Sequence, residues 1–279
     1  MPRGRTAKVL TNRYDGAAVS RHPDQLIVEE PLEIQLDGAL VSTTMRTPGH
    51  DFELAAGFCF TEGLLAGAAV RQCRYCGTGS AVDSEFNAVS VDTGGQAPTP
   101  RPRLTTTTSA CGMCGTTAID DLRERLHPLP AAEPFPLEVL AAVPDAVMGC
   151  QQLFDATGAV HAAVAFDRAG TPVLAREDIG RHNAVDKVVG RLLLDGCLPA
   201  TDLGLYVSGR ASFEIVQKAW AAGVGTVVAV SAPSSLAVSA ARLAGMTLCG
   251  FARNGRLNVY APEELRANAA RGASRRVHR

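Results

Sequence analysis

The spacing of apolar residues divides this chain into two unlike parts. Over residues 24–47 they recur at strand-like intervals, as Leu26, Val28, Ile34, Leu36, Leu40 and Val41, interrupted by Pro31 and by an Asp37-Gly38 pair that signals a hairpin. Thr47 or Asp51 is placed to cap a helix that ends near Gly63. Residues 86–91 read as one more strand, which completes a small α+β unit over 21–104. Beyond residue 105 the period changes. Helices are predicted over 116–126 and 136–148. Strands follow over 160–166 and 172–175, joined by a turn at Arg168-Ala169-Gly170. Residues 182–195 carry Val185, Val188, Val189, Leu192 and Leu193 on one helical face. Short apolar strands over 203–207, 227–230 and 247–251 then alternate with helices over 213–222 and 236–243, and a last apolar run covers 257–260. Such alternation predicts an α/β domain over 105–262, with a mostly parallel sheet covered on both faces.

Composition fits a soluble globular chain of 279 residues, 46% hydrophobic and 20% charged, long enough for a sizeable core and for two domains. A net charge of −1 argues against a general nucleic-acid partner. Arg3, Arg5, Lys8 and Arg13 near one end, and Arg271, Arg275, Arg276 and Arg279 near the other, predict solvated basic tails over 1–20 (disordered) and 263–279. The first 20 residues lack the apolar core of a secretory signal, and no run reaches the roughly 18 apolar residues of a membrane span. A cytoplasmic location with no membrane partner is therefore expected. In a reducing compartment, paired cysteines point to metal or redox chemistry rather than structural disulfides. Of the eight cysteines, Cys59, Cys150, Cys197 and Cys249 stand alone and read as inert thiols.

The other four form two Cys-x-x-Cys units, Cys73/Cys76 and Cys111/Cys114. The second lies between a threonine run (Thr105 to Thr108) and a predicted helix, after a segment rich in proline and glycine. A thiol at a helix start is favoured as thiolate by the helix dipole and by unpaired N–H groups. Cys111 and Cys114 are thus candidates for a nucleophile, a redox pair or metal ligands. Four thiols are compatible with a structural zinc, although the gap from Cys76 to Cys111 exceeds the usual ribbon spacing. Zinc-activated water of the deaminase kind needs a His-x-Glu or Cys-x-Glu, and neither occurs. A thioredoxin-like role is weakened by the glycine after each thiol.

In open α/β sheets, ligands bind beyond the carboxyl ends of the strands. Three turns are predicted there: residues 176–183, with Asp178, Arg181 and His182; 208–212, with Ser208, Gly209 and Arg210; and 231–235, opening on Ser231. Hydroxyls, glycine and arginine at helix starts suit a phosphate or pyrophosphate, and the loop with Arg253 and Arg256 adds to these three turns. Neither a dinucleotide-binding nor a P-loop glycine motif is present. His182 is a candidate acid–base, with Asp178 or Asp186 to orient it, and Lys187 reads as solvent-facing.

Several collinear blocks resemble one family. They include Arg46-Thr47-Pro48-Gly49-His50-Asp51, Cys111-Gly112-Met113-Cys114-Gly115, and Thr157-Gly158-Ala159-Val160-His161-Ala162-Ala163. The longest runs Arg176-Glu177-Asp178-Ile179-Gly180-Arg181-His182-Asn183-Ala184-Val185-Asp186-Lys187, and further blocks begin at Ser208, Ser231 and Asn258. Together, from about residue 25 to 262, they are similar to the FdhD/NarQ family of formate dehydrogenase accessory sulfurtransferases. The resemblance implies a cytidine-deaminase-like three-layer α/β/α domain joined to the smaller α+β domain. It implies that sulfur arrives from a cysteine desulfurase as a persulfide on Cys111, with Cys114 assisting or relaying. The sulfur would pass to the molybdenum centre of bis-molybdopterin guanine dinucleotide, for use by formate dehydrogenase. The cofactor would lie against Phe251, Ala252, Arg253, Asn254, Gly255 and Arg256. No tightly held metal is implied, a homodimer is left open, and Cys73 and Cys76 fall outside the pattern. The competing expectation is a non-catalytic carrier of the same cofactor, with a structural thiol or zinc site.

Overall fold

The computed structural model describes residues 4–75, 85–99, 122 and 124–262. Its first element corrects the disordered tail expected over 1–20. Strands β1 (Thr6–Tyr14) and β2 (Val19–Ile27) pair antiparallel along their full length. The ribbon closes because Asp15 Oδ1 accepts the amides of Ala17 and Ala18, at 3.0 and 2.9 Å, while Gly16 supplies a φ of 99°. Lys8 and Arg13 project from it into solvent, which is why its composition imitates a tail.

Strands β3 (Glu30–Leu36), β4 (Ala39–Arg46), β5 (Gln72–Tyr75) and β6 (Ala88–Asp92) form a four-stranded sheet in the order β4-β3-β6-β5. The predicted Asp37-Gly38 turn joins β3 to β4, with φ of 48° and 86° at the two residues. Leu32, Ile34, Leu36, Val89 and Val91 fill one face and are covered by Leu54, Ala55 and Cys59 of helix α1 (Asp51–Thr61).

The larger sheet runs β12-β11-β10-β9-β7-β8. Its strands are β7 (His161–Phe166), β8 (Pro172–Asp178), β9 (Gly204–Val207), β10 (Thr226–Ala229), β11 (Thr247–Arg253) and β12 (Arg256–Ala261). Only β9, β10 and β11 run parallel to one another; β7, β8 and β12 are antiparallel to their neighbours. The sheet is thus mixed rather than mostly parallel. The links from β7 to β8 and from β11 to β12 are tight turns, too short for a crossover.

Helices α2 (Leu137–Ala146), α3 (Gln152–Thr157), α4 (Arg181–Leu194), α5 (Phe213–Ala221) and α6 (Ser235–Ala244) complete the described α-helices. Strand alternation assigns them to layers. Ala163, Ala165, Leu205, Val207, Val227 and Ala229 face α4, α5 and α6, whereas Val164, Phe166, Tyr206 and Val228 face Leu140 and Val143 of α2. The architecture is α/β, with helices on both faces. The helix expected over 116–126 lies mostly outside the described residues, though Leu122 is buried in the main core. No helix among the described residues is long and apolar enough to cross a membrane.

The two larger sheets meet where α1 crosses α4. A Cβ on Gly57 would lie 1.9 Å from the Asp186 carbonyl oxygen, and one on Gly190 would lie 1.8 Å from that of Glu53. Backbone touches backbone there, so no side chain can move aside. Gly190→Ala is expected to cost about 3 kcal/mol by overpacking, read as a lower urea midpoint. A loss under about 0.5 kcal/mol would show that the helices can part.

Candidate functional site

The turns singled out in the sequence do gather on one rim, beyond the carboxyl ends of β9 and β10. Ser208 N–H donates to Ala162 O (3.0 Å), and Ser208 Oγ accepts from Ala162 N–H (2.9 Å). Ser231 N–H donates to Gly209 O at 3.3 Å, and Phe251 N–H to Ser231 O at 3.2 Å. Because β7 and β8 are antiparallel with His161 opposite Asp178, the start of the one and the end of the other reach the same edge. Arg181 and His182 follow at once, in the first turn of α4.

Within the basic loop the residues separate by environment. Gly250 lies so close to the turn after β10 that a Cβ would meet Pro233 Cδ at 2.9 Å and Ser231 O at 3.0 Å. The next residue, Phe251, takes a φ of 53° in a bulge and leaves 42% of its side chain exposed on the rim. Ala252 turns back into the core and is fully buried. Arg253, Asn254, Gly255 and Arg256 form an exposed hairpin tip, with φ of 53° and 67° at the Asn-Gly pair. Arg210 is also exposed.

The acids expected to orient His182 do something else. Asp178 is fully buried and binds Lys187 Nζ at 2.6 Å. It also accepts the amide of Thr47 (3.2 Å), the amide of Gly180 (2.8 Å) and Asn183 Nδ2 (3.0 Å). Lys187, expected in solvent, has no exposure, because α4 turns that face toward the segment after β4, where Thr47 O accepts from Nζ at 2.9 Å. Asp186 is held by Lys218 Nζ at 2.9 Å and Thr61 Oγ1 at 2.8 Å. Burial nonetheless pushes its carboxyl up to about 6. The neighbours of His182 are instead Ser212 Oγ (3.3 Å) and Glu214 Oε2 (3.8 Å) from Nε2. Burial, then the charges of Arg181 and Lys218, lower its pKa to about 4, so the ring is neutral at physiological pH.

Two features escaped the sequence reading. His161, in the block that runs from Thr157 to Ala163, lies on the rim, and burial followed by the charge of Arg181 lowers its pKa. The signal was the short β7–β8 turn, which forces the antiparallel pairing that brings His161 to this edge. Arg181 Nε is buried and has no hydrogen-bond partner among the described residues. A buried donor left this way costs about 1–3 kcal/mol, so it asks for an acceptor.

Cys111, Cys114 and Cys76 lie outside the described residues. Cys73 packs against the core of the four-stranded sheet, where burial pushes its thiol up to about 11. Burial likewise raises Cys59 above the usual thiol range and Cys249 to about 12, which fits inert thiols, while Cys197 is exposed. No group of three potential metal ligands occurs among the described residues.

The sequence model of the FdhD/NarQ family matches residues 27–266. The chain is 48% identical over 276 residues to a protein named sulfur carrier protein FdhD from Anaeromyxobacter dehalogenans, covering 94% of each chain. It is also 48% identical over 275 residues to a protein of the same name from Streptomyces avermitilis, covering 93% of this chain and 96% of that one. A crystal structure of a candidate formate dehydrogenase accessory protein from Desulfotalea psychrophila superposes with a TM-score of 0.73. It shares 25% identity and covers 93% of this chain and 99% of its own.

Two outcomes follow from the electrostatics. Asp178→Ala, which strands a buried ammonium, is expected to lose about 3–5 kcal/mol of stability in denaturant; retention of full stability would show that Lys187 finds water. His182 should titrate by NMR near 4, below its ordinary 6.5. The unfolded chain then binds the extra proton first, so His182 lowers stability as pH falls from 6.5 toward 4 and contributes no loss above that window. A midpoint near 6.5 would contradict the burial argument.

Proposed function

The chain belongs to the FdhD/NarQ family, and from that membership we propose that it is a sulfur carrier serving formate dehydrogenase, with Cys111 holding the sulfur as a persulfide. The observation that carries the proposal is the family match over residues 27–266, which spans both the Cys111-Gly112-Met113-Cys114-Gly115 block and every turn of the rim. The names of the relatives and of the structural neighbour support the same reading.

Cys111 thiolate attacks the outer sulfur of a persulfide on a cysteine desulfurase. A new S–S bond forms on Cys111, and the donor cysteine leaves with the electron pair of the broken one. The outer sulfur then binds the molybdenum of bis-molybdopterin guanine dinucleotide, which is substrate here. Release as sulfide takes two electrons. Cys114 thiolate supplies them by attacking Cys111 Sγ, so that a Cys111–Cys114 disulfide forms and the sulfur stays on the metal. A cellular dithiol then reduces the disulfide.

The rim is suited to the phosphates of such a substrate. Arg181, Arg210, Arg253 and Arg256 supply guanidinium donors, Ser208 and Ser231 supply hydroxyls, and Gly209 lets the ligand approach the backbone. His182, neutral and held by Ser212, adds a ring nitrogen without adding charge. The exposed Phe251 offers a flat apolar face to the guanine.

Incubation with a cysteine desulfurase and cysteine should add ~32 Da to the Cys111 peptide. Cys111→Ala should abolish activation of formate dehydrogenase, and Cys114→Ala should keep the adduct but lose delivery. If Cys111→Ala still activates the enzyme, the chain is a cofactor carrier and not a sulfurtransferase.

A further inference from the structure

His161 belongs to no part of the chemistry so far, yet its place on the rim is specific. It opens β7 beside the turn that follows β9, with Ala162 and Ser208 stitched together next to it. A Cβ built on Gly209 would lie 3.3 Å from His161 Nδ1 and 3.9 Å from Arg181 Cδ. A bare backbone, an imidazole and a guanidinium stem therefore converge on one point, with no side chain from Gly209 between them. The Arg181 Nε at this point is buried and lacks an acceptor among the described residues.

The charges around this point are lopsided. The groups acting on His161 are the cations Arg181 and Arg210 and the carboxylate of Asp178. That carboxylate already binds Lys187, two backbone amides and Asn183, as described above. Arg210, one residue past Gly209, stands exposed at the mouth. Two guanidinium groups facing one engaged carboxylate leave a local excess of positive charge, which favours a multivalent oxyanion over a neutral group.

We propose that His161, Arg181 and Arg210, arranged around Gly209, form a pocket for one phosphoryl unit of a diphosphate-bearing ligand, and that His161 gains a proton when that unit binds. The proposal rests on the reading of this rim as a phosphate site, and not on sulfur transfer by Cys111. Without the anion, burial and the Arg181 charge disfavour the protonated imidazole. The anion offsets both, so binding takes up a proton and tightens as pH falls.

A suitable probe is P1,P2-diguanosine diphosphate, whose phosphates do not titrate near neutrality. It would be titrated calorimetrically into the full-length chain at about pH 8 and about pH 6, on either side of the ordinary imidazole pKa. The unsubstituted chain should bind more tightly at the lower pH. His161→Ala should lose that pH dependence and, like Arg181→Gln, bind roughly tenfold more weakly. Arg210→Gln, on a side chain too exposed to disturb folding, should weaken binding roughly threefold. Far-UV circular dichroism would establish that each variant is folded.

Undiminished binding by both His161→Ala and Arg210→Gln, pH dependence that survives in His161→Ala, or no binding by the unsubstituted chain would each overturn the pocket. The titration uses neither a sulfur donor nor formate dehydrogenase. Its failure therefore leaves the Cys111 adduct experiment standing, and failure of that experiment leaves the titration standing.

Discussion

One buried carboxylate fixes the relation between the two larger sheets. Asp178 ends β8, takes an ammonium from Lys187 on α4, binds the start of the same helix through the Gly180 amide and the Asn183 side chain, and holds Thr47 from the segment after β4. Such a pair adds little net stability over an apolar replacement, because both ions must shed water. Its effect is geometric. Every partner is set by that one group, so Arg181 and His182, which lie between its contacts, are placed relative to both sheets at once. Arg46–Asp51, Arg176–Glu53 and Lys218–Asp186 complete a line of ion pairs within or bordering the same seam.

The seam also explains how a chain of nearly neutral charge presents a basic rim. The acids Asp51, Glu53, Asp178 and Asp186 are all buried and matched by cations from neighbouring elements. What remains on the rim is chiefly Arg181, Arg210, Arg253 and Arg256, against the Glu214 carboxylate beside His182, with two histidines whose surroundings lower their pKa values. Net charge counted along the chain averages over this separation and hides it.

Much of the fold was legible because period and turn chemistry are local. The alternation through Ile34 and Leu36, the Asp37-Gly38 hairpin and the apolar stripe of α4 all translate directly into observed elements. What the pattern could not carry was pairing. Two short turns make the large sheet mixed, and that topology alone brings His161 to the rim. Burial of Lys187 was illegible for a related reason: its partner lies on a different element, and a lysine beside an aspartate looks the same on an exposed face. The β1–β2 ribbon was misread because composition reported its exposure and missed its ladder. Of the site, the turns and their arginines were readable from residue type, whereas the thiol pair lies outside the described residues.

The glycine contact between α1 and α4 bears on how a large substrate could come and go. With the backbones of Gly57 and Gly190 already touching, neither helix can roll or slide over the other without collision. Opening the two sheets about this seam would have to pull those backbones apart and give up the contact between α1 and α4. Rearrangement of loops and side chains at the rim asks for no such loss.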